Sequence, residues 1–357
     1  MINISKPFIG EAEKKAVLEV LESGMLVQGP KTAELEEKFA AVCGTQYAVA
    51  TSSGTTALHV ALLANGIEPG DEVITTPFTF MASVNAILYT GARPVFVDIE
   101  EDTFNIDPDL IETAITPKTK AILPVHLYGY PCNMDSIMRI ANQYGLFVIE
   151  DACQAVGARY KGKPTGSFGT GCFSLYATKN IMAGEGGMIT TNDEAIAKRS
   201  RMIRNHGMQQ RYLHEMLGYN FRISDLHSSI GIVQIGRLAE FTEKRKANAT
   251  YLNEHITSVI TPKVKSDYDH VWHQYTIRVD GDRNRDDVVK SLIDAGIGTG
   301  IFYPYPAYKQ AHLVEAGYGE ISLPVTERIV KEVISLPVHP QLSQSDLETI
   351  VREVNKL

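Results

Sequence analysis

The chain has 357 residues, 44% of them hydrophobic and 21% charged, with a net charge of -8 and a pI of about 5.7. That length suits one large domain plus a smaller one, and the composition excludes a disordered chain. The acidic balance counts against a protein that tracks nucleic-acid phosphates, so no nucleic-acid partner is expected.

Segments 11–24 and 31–44 read as short helices, each stopping at a glycine suited to a left-handed cap, Gly24 and Gly44. Seven short apolar runs follow, at 46–52, 71–77, 93–99, 119–127, 146–152, 171–178 and 188–191. Their valine, isoleucine and aromatic content suits strands. Helix-like stretches at 55–65, 79–89 and 133–144 separate the earlier runs. The alternation implies an α/β fold with a mostly parallel seven-stranded sheet covered on both faces. A long helical pattern starts at Ser224 and runs to 256. After it the order changes: a strand at 271–279, a helix at 286–296, an extended run at 299–305, and a last helix with Ser345 and Glu348 as a capping box. The expected division is a large domain over 1–244 and a smaller α+β domain over 245–357, with the first dozen residues able to pack on the latter.

The four cysteines, Cys43, Cys132, Cys153 and Cys172, show no C-x-x-C spacing. Buried thiols in a reducing compartment fit better than disulfides or a zinc site. The first fifteen residues lack a basic region followed by an apolar run, and no stretch approaches about 18 apolar residues. A cytoplasmic protein without a membrane partner or a metal is expected.

Three segments carry chemical interest. Ser53, Gly54 and Thr55 follow a strand and open a helix, which makes either an anion site or ordinary capping. Asp151 ends a strongly apolar run. There a carboxylate pairs with a buried cation, such as a protonated pyridine nitrogen, or caps the next turn. Lys179 lies between an apolar run and the glycine-rich Gly184–Gly187 turn. It is either a surface lysine at a strand end or a desolvated amine able to attack a carbonyl. Together the three supply what pyridoxal 5'-phosphate (PLP) needs: an anion cradle, a partner for its ring nitrogen, and an amine for its aldehyde.

An ordered set of segments adds to this: SGMLVQGP (23–30), SSGTTAL (52–58), TPFTF (76–80), PVFVDI (94–99), HLYG (126–129), EDACQAVGA (150–158), FSLYATKN (173–180), GEGG (184–187), RNHG (204–207), GYNFRISD (218–225) and SLPVHP (335–340). The chain thereby resembles the DegT/DnrJ/EryC1/StrS family of sugar aminotransferases, a branch of the fold-type-I PLP enzymes. The resemblance implies that Lys179 is the Schiff-base lysine and Asp151 the partner of the ring nitrogen. It implies that Gln154 contacts the ring-hydroxyl side of the cofactor and that Phe80 stacks on the ring. Ser53, Gly54, Thr55 and Ser174 match phosphate binders. Asn220, with Arg222 as a helper, matches a residue reaching the neighbouring subunit's cofactor, which implies a homodimer with shared active sites. The implied reaction takes an amino group from L-glutamate to a nucleotide-linked 3- or 4-keto-deoxysugar, giving an amino-sugar for glycan, lipopolysaccharide or antibiotic biosynthesis. Lys179 is the implied general base and acid.

Two positions depart from the family pattern. Phe302 and Tyr308 stand where relatives often carry histidine, near the expected sugar side, and so bear on substrate choice. A deoxysugar dehydratase of the same family would have histidine in place of Lys179. A non-catalytic PLP-binding regulator would tolerate loss of Lys179 or Asp151, and a Rossmann-type nucleotide binder would need G-x-G-x-x-G where SSGTTA stands.

Overall fold

The structure, a computed structural model, describes residues 1–280 and 283–357. Helices α1 (Glu11–Ser23) and α2 (Pro30–Cys43) end on Gly24 and Gly44 at φ 71° and 64°. Next come β1 (Tyr47–Thr51), α3 (Gly54–Ala64), β2 (Glu72–Thr75), α4 (Met81–Tyr89), β3 (Arg93–Phe96), β4 (Thr119–Leu123), α5 (Met134–Tyr144), β5 (Phe147–Asp151), β6 (Thr170–Ser174) and β7 (Gly187–Thr191). These seven strands form one sheet in the order β1-β7-β6-β5-β4-β2-β3. β7 runs antiparallel to both its neighbours, and the other pairs are parallel.

Side chains alternate across this sheet, and both faces are covered. Val49, Val73, Leu123 and Ile149 pack with Leu58 and Leu62 of α3 and Ile87 of α4. Ile74, Ile122 and Val148 point the other way and meet Ile137 and Ile140 of α5. Ala48, Ala50 and Phe173 meet Leu35 and Phe39 of α2. Each such fully buried aliphatic side chain contributes about 2 kcal/mol.

Glu150 is fully buried in β5 and anchors the loop that leads into β6. It accepts hydrogen bonds from the backbone N–H groups of Gly166, Phe168 and Gly169 at 2.8, 2.8 and 3.0 Å, and it contacts His126 Nε2 at 3.1 Å. Burial pushes its carboxyl up, but the bonds from His126, Gly169 and Gly166 outweigh burial and hold it below the usual value. A carboxyl lowered in the fold stabilises it fully above the unfolded value of about 4.3 and loses that contribution as the pH falls. Glu150→Ala strands one buried and two part-buried N–H groups and is expected to cost about 3 kcal/mol. Urea unfolding at pH 7 measures this, and the gap from wild type should shrink below about pH 4.

Beyond the sheet come α6 (Glu194–Ile203), α7 (Asp225–Ile235) and α8 (Leu238–His255). The expected single helix from Ser224 is thus two. The chain turns at Gly236 and Arg237, whose ψ values are -19° and -6°. Glycine is a weak helix former, and the buried Glu13 carboxylate binds Gln234 at 2.9 Å and Arg237 at 2.8 Å on either side of the break. The expected strand at 271–279 shrinks to β8 (Tyr275–Arg278), because Trp272 adopts φ 51° and ends the alternation. β8 pairs antiparallel with β9 (Val333–Leu336), a strand the apolar pattern did not reveal. α9 (Arg285–Asp294) and α10 (Gln344–Val354) pack on this pair, with the outer half of α8. The cap of α10 is Ser343 with Asp346, not Ser345 with Glu348: Ser343 Oγ accepts from Asp346 N, and Asp346 accepts from Ser343 N. An aspartate three residues on serves the box as well as a glutamate does.

Among the described residues, no helix is long and apolar enough to cross a membrane, and no cluster of three or more candidate metal ligands occurs. Cys43, Cys132 and Cys172 are buried, and Cys153 is half-buried; all four are free.

Candidate active site

The carboxyl ends of β1, β5 and β6 open onto one cavity of about 510 Å³. Ser53, Gly54, Thr55, Phe80, Asp151, Gln154, Ser174 and Lys179 all line it. Topology brings them there, since loops leaving parallel strands at one edge converge.

The β1–α3 turn is built closely. Ser53 caps α3 by accepting from Thr56 N at 3.2 Å. Ala57 N bonds to Ser53 O. Gly54 N and Thr55 N keep no acceptor among the described residues, so two donors at a helix N-terminus face the cavity. A Cβ on Gly54 would lie 2.8 Å from Ser174 Cβ, and one on Gly187 would lie 2.0 Å from Ser53 O. These two glycines let the β1–α3 turn, β6 and β7 close on each other.

Asp151 is 5% exposed at the end of β5. One carboxylate oxygen accepts from Ser83 Oγ at 2.6 Å and the other from Cys153 N at 3.1 Å. Ser83 is within 2.7 Å of Thr79 Oγ1, so Thr79, Ser83 and Asp151 form a chain of hydroxyls ending on the carboxylate. The carboxylate makes no ion pair with a protein cation among the described residues.

Lys179 sits in the turn between β6 and β7, with its N–H bonded to Tyr176 O. The residue retains some exposure to the cavity, but dense protein surrounds the amine. Burial holds it below the usual lysine value, against the charges of Cys153 and Asp151, which raise it. Burial and then Asp151 push the Cys153 thiol up, against the Lys179 charge, and so disfavour its thiolate.

Gln154 is bonded at both ends. Its carbonyl accepts from Tyr128 N at 2.8 Å, and its amide donates to Tyr303 Oη at 3.2 Å. Phe80 is 59% exposed, and its ring lies 6.0 Å from the Tyr303 ring. Its open face is available for stacking.

Asn220 and Arg222 do not line this cavity. Asn220 is exposed, and Arg222 bonds to Asn205 Oδ1 at 2.7 Å. Phe302 lines the cavity, but Tyr308 does not. Tyr308 is fully buried beside Phe96 and Tyr318, and its hydroxyl bonds to Glu327 at 3.0 Å. Tyr308, a buried phenol with a carboxylate partner, packs a satellite core. Ser83, Glu185, His273 and Tyr303 also line the cavity and were not found from sequence.

The DegT/DnrJ/EryC1/StrS aminotransferase family model matches residues 7–355. A "pleiotropic regulatory protein" of Geobacillus stearothermophilus is 44% identical, covering 94% of this chain and 91% of its own. A UDP-N-acetyl-3-dehydro-alpha-D-glucosamine 3-aminotransferase of Acidithiobacillus ferrooxidans is 40% identical, covering 94% and 91%. A putative sugar aminotransferase, Spr1654 of Streptococcus pneumoniae, solved in its PMP form, superposes with a TM-score of 0.95 at 29% identity, covering 99% of this chain and 97% of its own. The chain belongs to the DegT/DnrJ/EryC1/StrS aminotransferase family and is an aminotransferase that works with PLP.

Proposed function

We propose that this enzyme moves the amino group of L-glutamate onto C3 or C4 of a nucleotide-linked keto-deoxysugar, with Lys179 as the residue that bonds the cofactor's aldehyde. The observation that carries this reading is one cavity holding a desolvated amine, a buried carboxylate without an ion pair, and two free N–H donors at a helix N-terminus. The residues fit PLP. Gly54, Thr55, Ser53 and Ser174 would hold its phosphate, Asp151 its ring nitrogen, Gln154 its ring-hydroxyl side, and Phe80 its ring face. When bound, PLP supplies an aldehyde and a protonated ring that draws in electrons.

The chain's own groups then divide the work. The Lys179 amine would take the proton from the donor's α-carbon and return one to the new position. Its lowered proton affinity keeps a larger neutral fraction for that task. Asp151, held by Ser83 and Cys153 N, would keep the ring nitrogen protonated. Phe80 would cover one ring face and exclude water there. A dehydratase would lack the Lys179 amine, and the name of the regulatory relative does not change what these groups can do.

A second copy completes the site. No arginine lines the cavity among the described residues, although the cofactor's phosphate and the carboxylates of glutamate need cations. Asn220 and Arg222 lie outside their own chain's cavity, and a homodimer would bring them to the partner's. Residues 1–244 then act as the cofactor-holding unit and 245–357 as the smaller one. The separate apolar cluster from Ala249 to Val354 supports that division. The four free cysteines suit the cytoplasm.

Purified protein should be yellow, and glutamate should shift its absorption band. A panel of nucleotide keto-sugars should then yield an amino-sugar with stoichiometric 2-oxoglutarate. Colourless protein that takes up no PLP overturns the assignment. Asn220→Ala should weaken cofactor retention about tenfold through one lost polar contact. At PLP too dilute to fill Asn220→Ala sites, mixing Lys179→Ala and Asn220→Ala chains should raise activity to about a quarter of wild type, because half of the sites in a mixed dimer are intact. No recovery with demonstrated mixing rules out shared sites.

A further inference from the structure

Lys179 is followed by Asn180, which is buried. The Asn180 amide nitrogen donates to Val271 O at 2.9 Å. Its carbonyl oxygen then faces His273 Nδ1 at 3.2 Å. The opposite amide orientation would set two carbonyl oxygens against each other at Val271. An oxygen only accepts, so Nδ1 carries the hydrogen. Burial, then the charges of Lys179, Arg245 and His270, hold His273 well below the usual imidazole value. A neutral ring with its hydrogen on Nδ1 has a free lone pair on Nε2. No group among the described residues donates to Nε2, and His273 lines the cavity it shares with Lys179.

The backbone around His273 is pinned on both sides. Val271 N bonds to Gly129 O at 3.1 Å and Gln274 N to Tyr128 O at 3.2 Å. Arg245, from α8, donates to the carbonyls of Trp272 and His273 at 3.0 and 3.4 Å. Between these anchors Trp272 sits at φ 51°, in the left-handed region that aromatic residues rarely adopt. Such a conformation persists only where its surroundings over-determine it. Here it ends the strand alternation just before His273.

We infer that His273 is a positioning residue for Lys179: it fastens the lysine's turn through Asn180 and presents a fixed acceptor nitrogen to the Lys179 amine. The inference rests on Lys179 being the residue that bonds the aldehyde. One N–H of the neutral amine given to Nε2 leaves the amine's lone pair turned toward the reacting carbon. The same acceptor favours the ammonium form, because a charged donor makes the stronger hydrogen bond. The other ionisable groups facing the pair are Asp151 and Cys153 beside the amine, Arg245 and His270 behind the imidazole, and Glu185 and Tyr303 on the cavity wall.

The test separates the two halves of the role without turnover. His273→Asn places an amide near where Nδ1 stood, keeping the bond to Asn180 and losing the cavity acceptor. His273→Gln reaches the place of Nε2 with its amide oxygen. Apoprotein is mixed with PLP across a pH series, the link is trapped with borohydride, and the rate is read as modified Lys179 by mass spectrometry. In His273→Asn the pH midpoint should fall by about one unit and the plateau rate by about tenfold. His273→Gln should restore the midpoint. Two-bond proton–nitrogen spectra of wild-type protein, with the His273 signal identified by its loss in either variant, should show a neutral ring protonated on Nδ1. A wild-type midpoint in His273→Asn, or an Nε2-protonated or charged His273 at neutral pH, overturns the inference and leaves Lys179 in its role. Absence of trapping at Lys179 in wild-type protein overturns both.

Discussion

Lys179→Ala should leave a folded, colourless protein whose turnover is lower by about 10⁴-fold. Two losses combine in that figure. On the role proposed for Lys179, the covalent hold on the cofactor would disappear, and so would the base that moves the proton. The turn itself should survive, because it is held by backbone bonds from Lys179 N to Tyr176 O, Ala183 N to Leu175 O and Leu175 N to Gly186 O. Stability should not fall in proportion. The forces on the amine are burial and two neighbouring charges, and the contact inferred with His273 is the one hydrogen bond it would lose. Removing an amine from a place that disfavours its charged form is neutral or mildly stabilising. The urea midpoint of apoprotein should therefore match or exceed that of wild type. Added small amines should restore part of the proton transfer. A variant that keeps more than about one-hundredth of wild-type turnover excludes Lys179 as the proton carrier.

Much of this site is legible in the sequence because its parts lie at strand ends. A buried strand in a parallel sheet is an unbroken apolar run, so its end is easy to see. Asp151 closes one such run, Ser53 follows another, and Lys179 sits just beyond a third. The partners of those residues are not legible in the same way. Ser83 holds Asp151 from 68 positions away, inside the first turn of α4, where nothing local marks it. His273 falls in a stretch that reads as a strand, and only the left-handed Trp272 takes it out of one. Glu185 and Tyr303 reach the cavity from a glycine turn and from a segment with no regular pairing except the bridge from Gly300 to Ser335.

Elsewhere tertiary contacts decide what local pattern leaves open. Glu13 lies over 220 residues from Gln234 and Arg237, yet its carboxylate spans the break between α7 and α8. Tyr308 stands at an informative position in the family pattern. In this chain Glu327 and the N–H of Leu323 draw its hydroxyl into a satellite core. Family pattern places a residue on the chain, and packing decides which way the side chain faces.

Asp151→Asn separates catalysis from stability more sharply than any other single change here. The amide is the same size, and its oxygen can still accept from Ser83 or from Cys153 N. What changes is charge. In the apoprotein a buried carboxylate with two hydrogen bonds and no ion pair pays for its desolvation, so the neutral amide should leave the urea midpoint unchanged or raise it. In the proposed role, that carboxylate would stabilise the ring nitrogen's proton and, through it, the negative charge on the donor's α-carbon. Loss of one such electrostatic partner costs about 10²- to 10³-fold in turnover. The cofactor should still reach Lys179 and be trapped there by borohydride, because the amine and the phosphate cradle are untouched. Trapped cofactor, intact stability and slow turnover together identify Asp151 as an electronic partner. Turnover within about threefold of wild type would exclude that role and return Asp151 to the plainer one of capping the turn after β5.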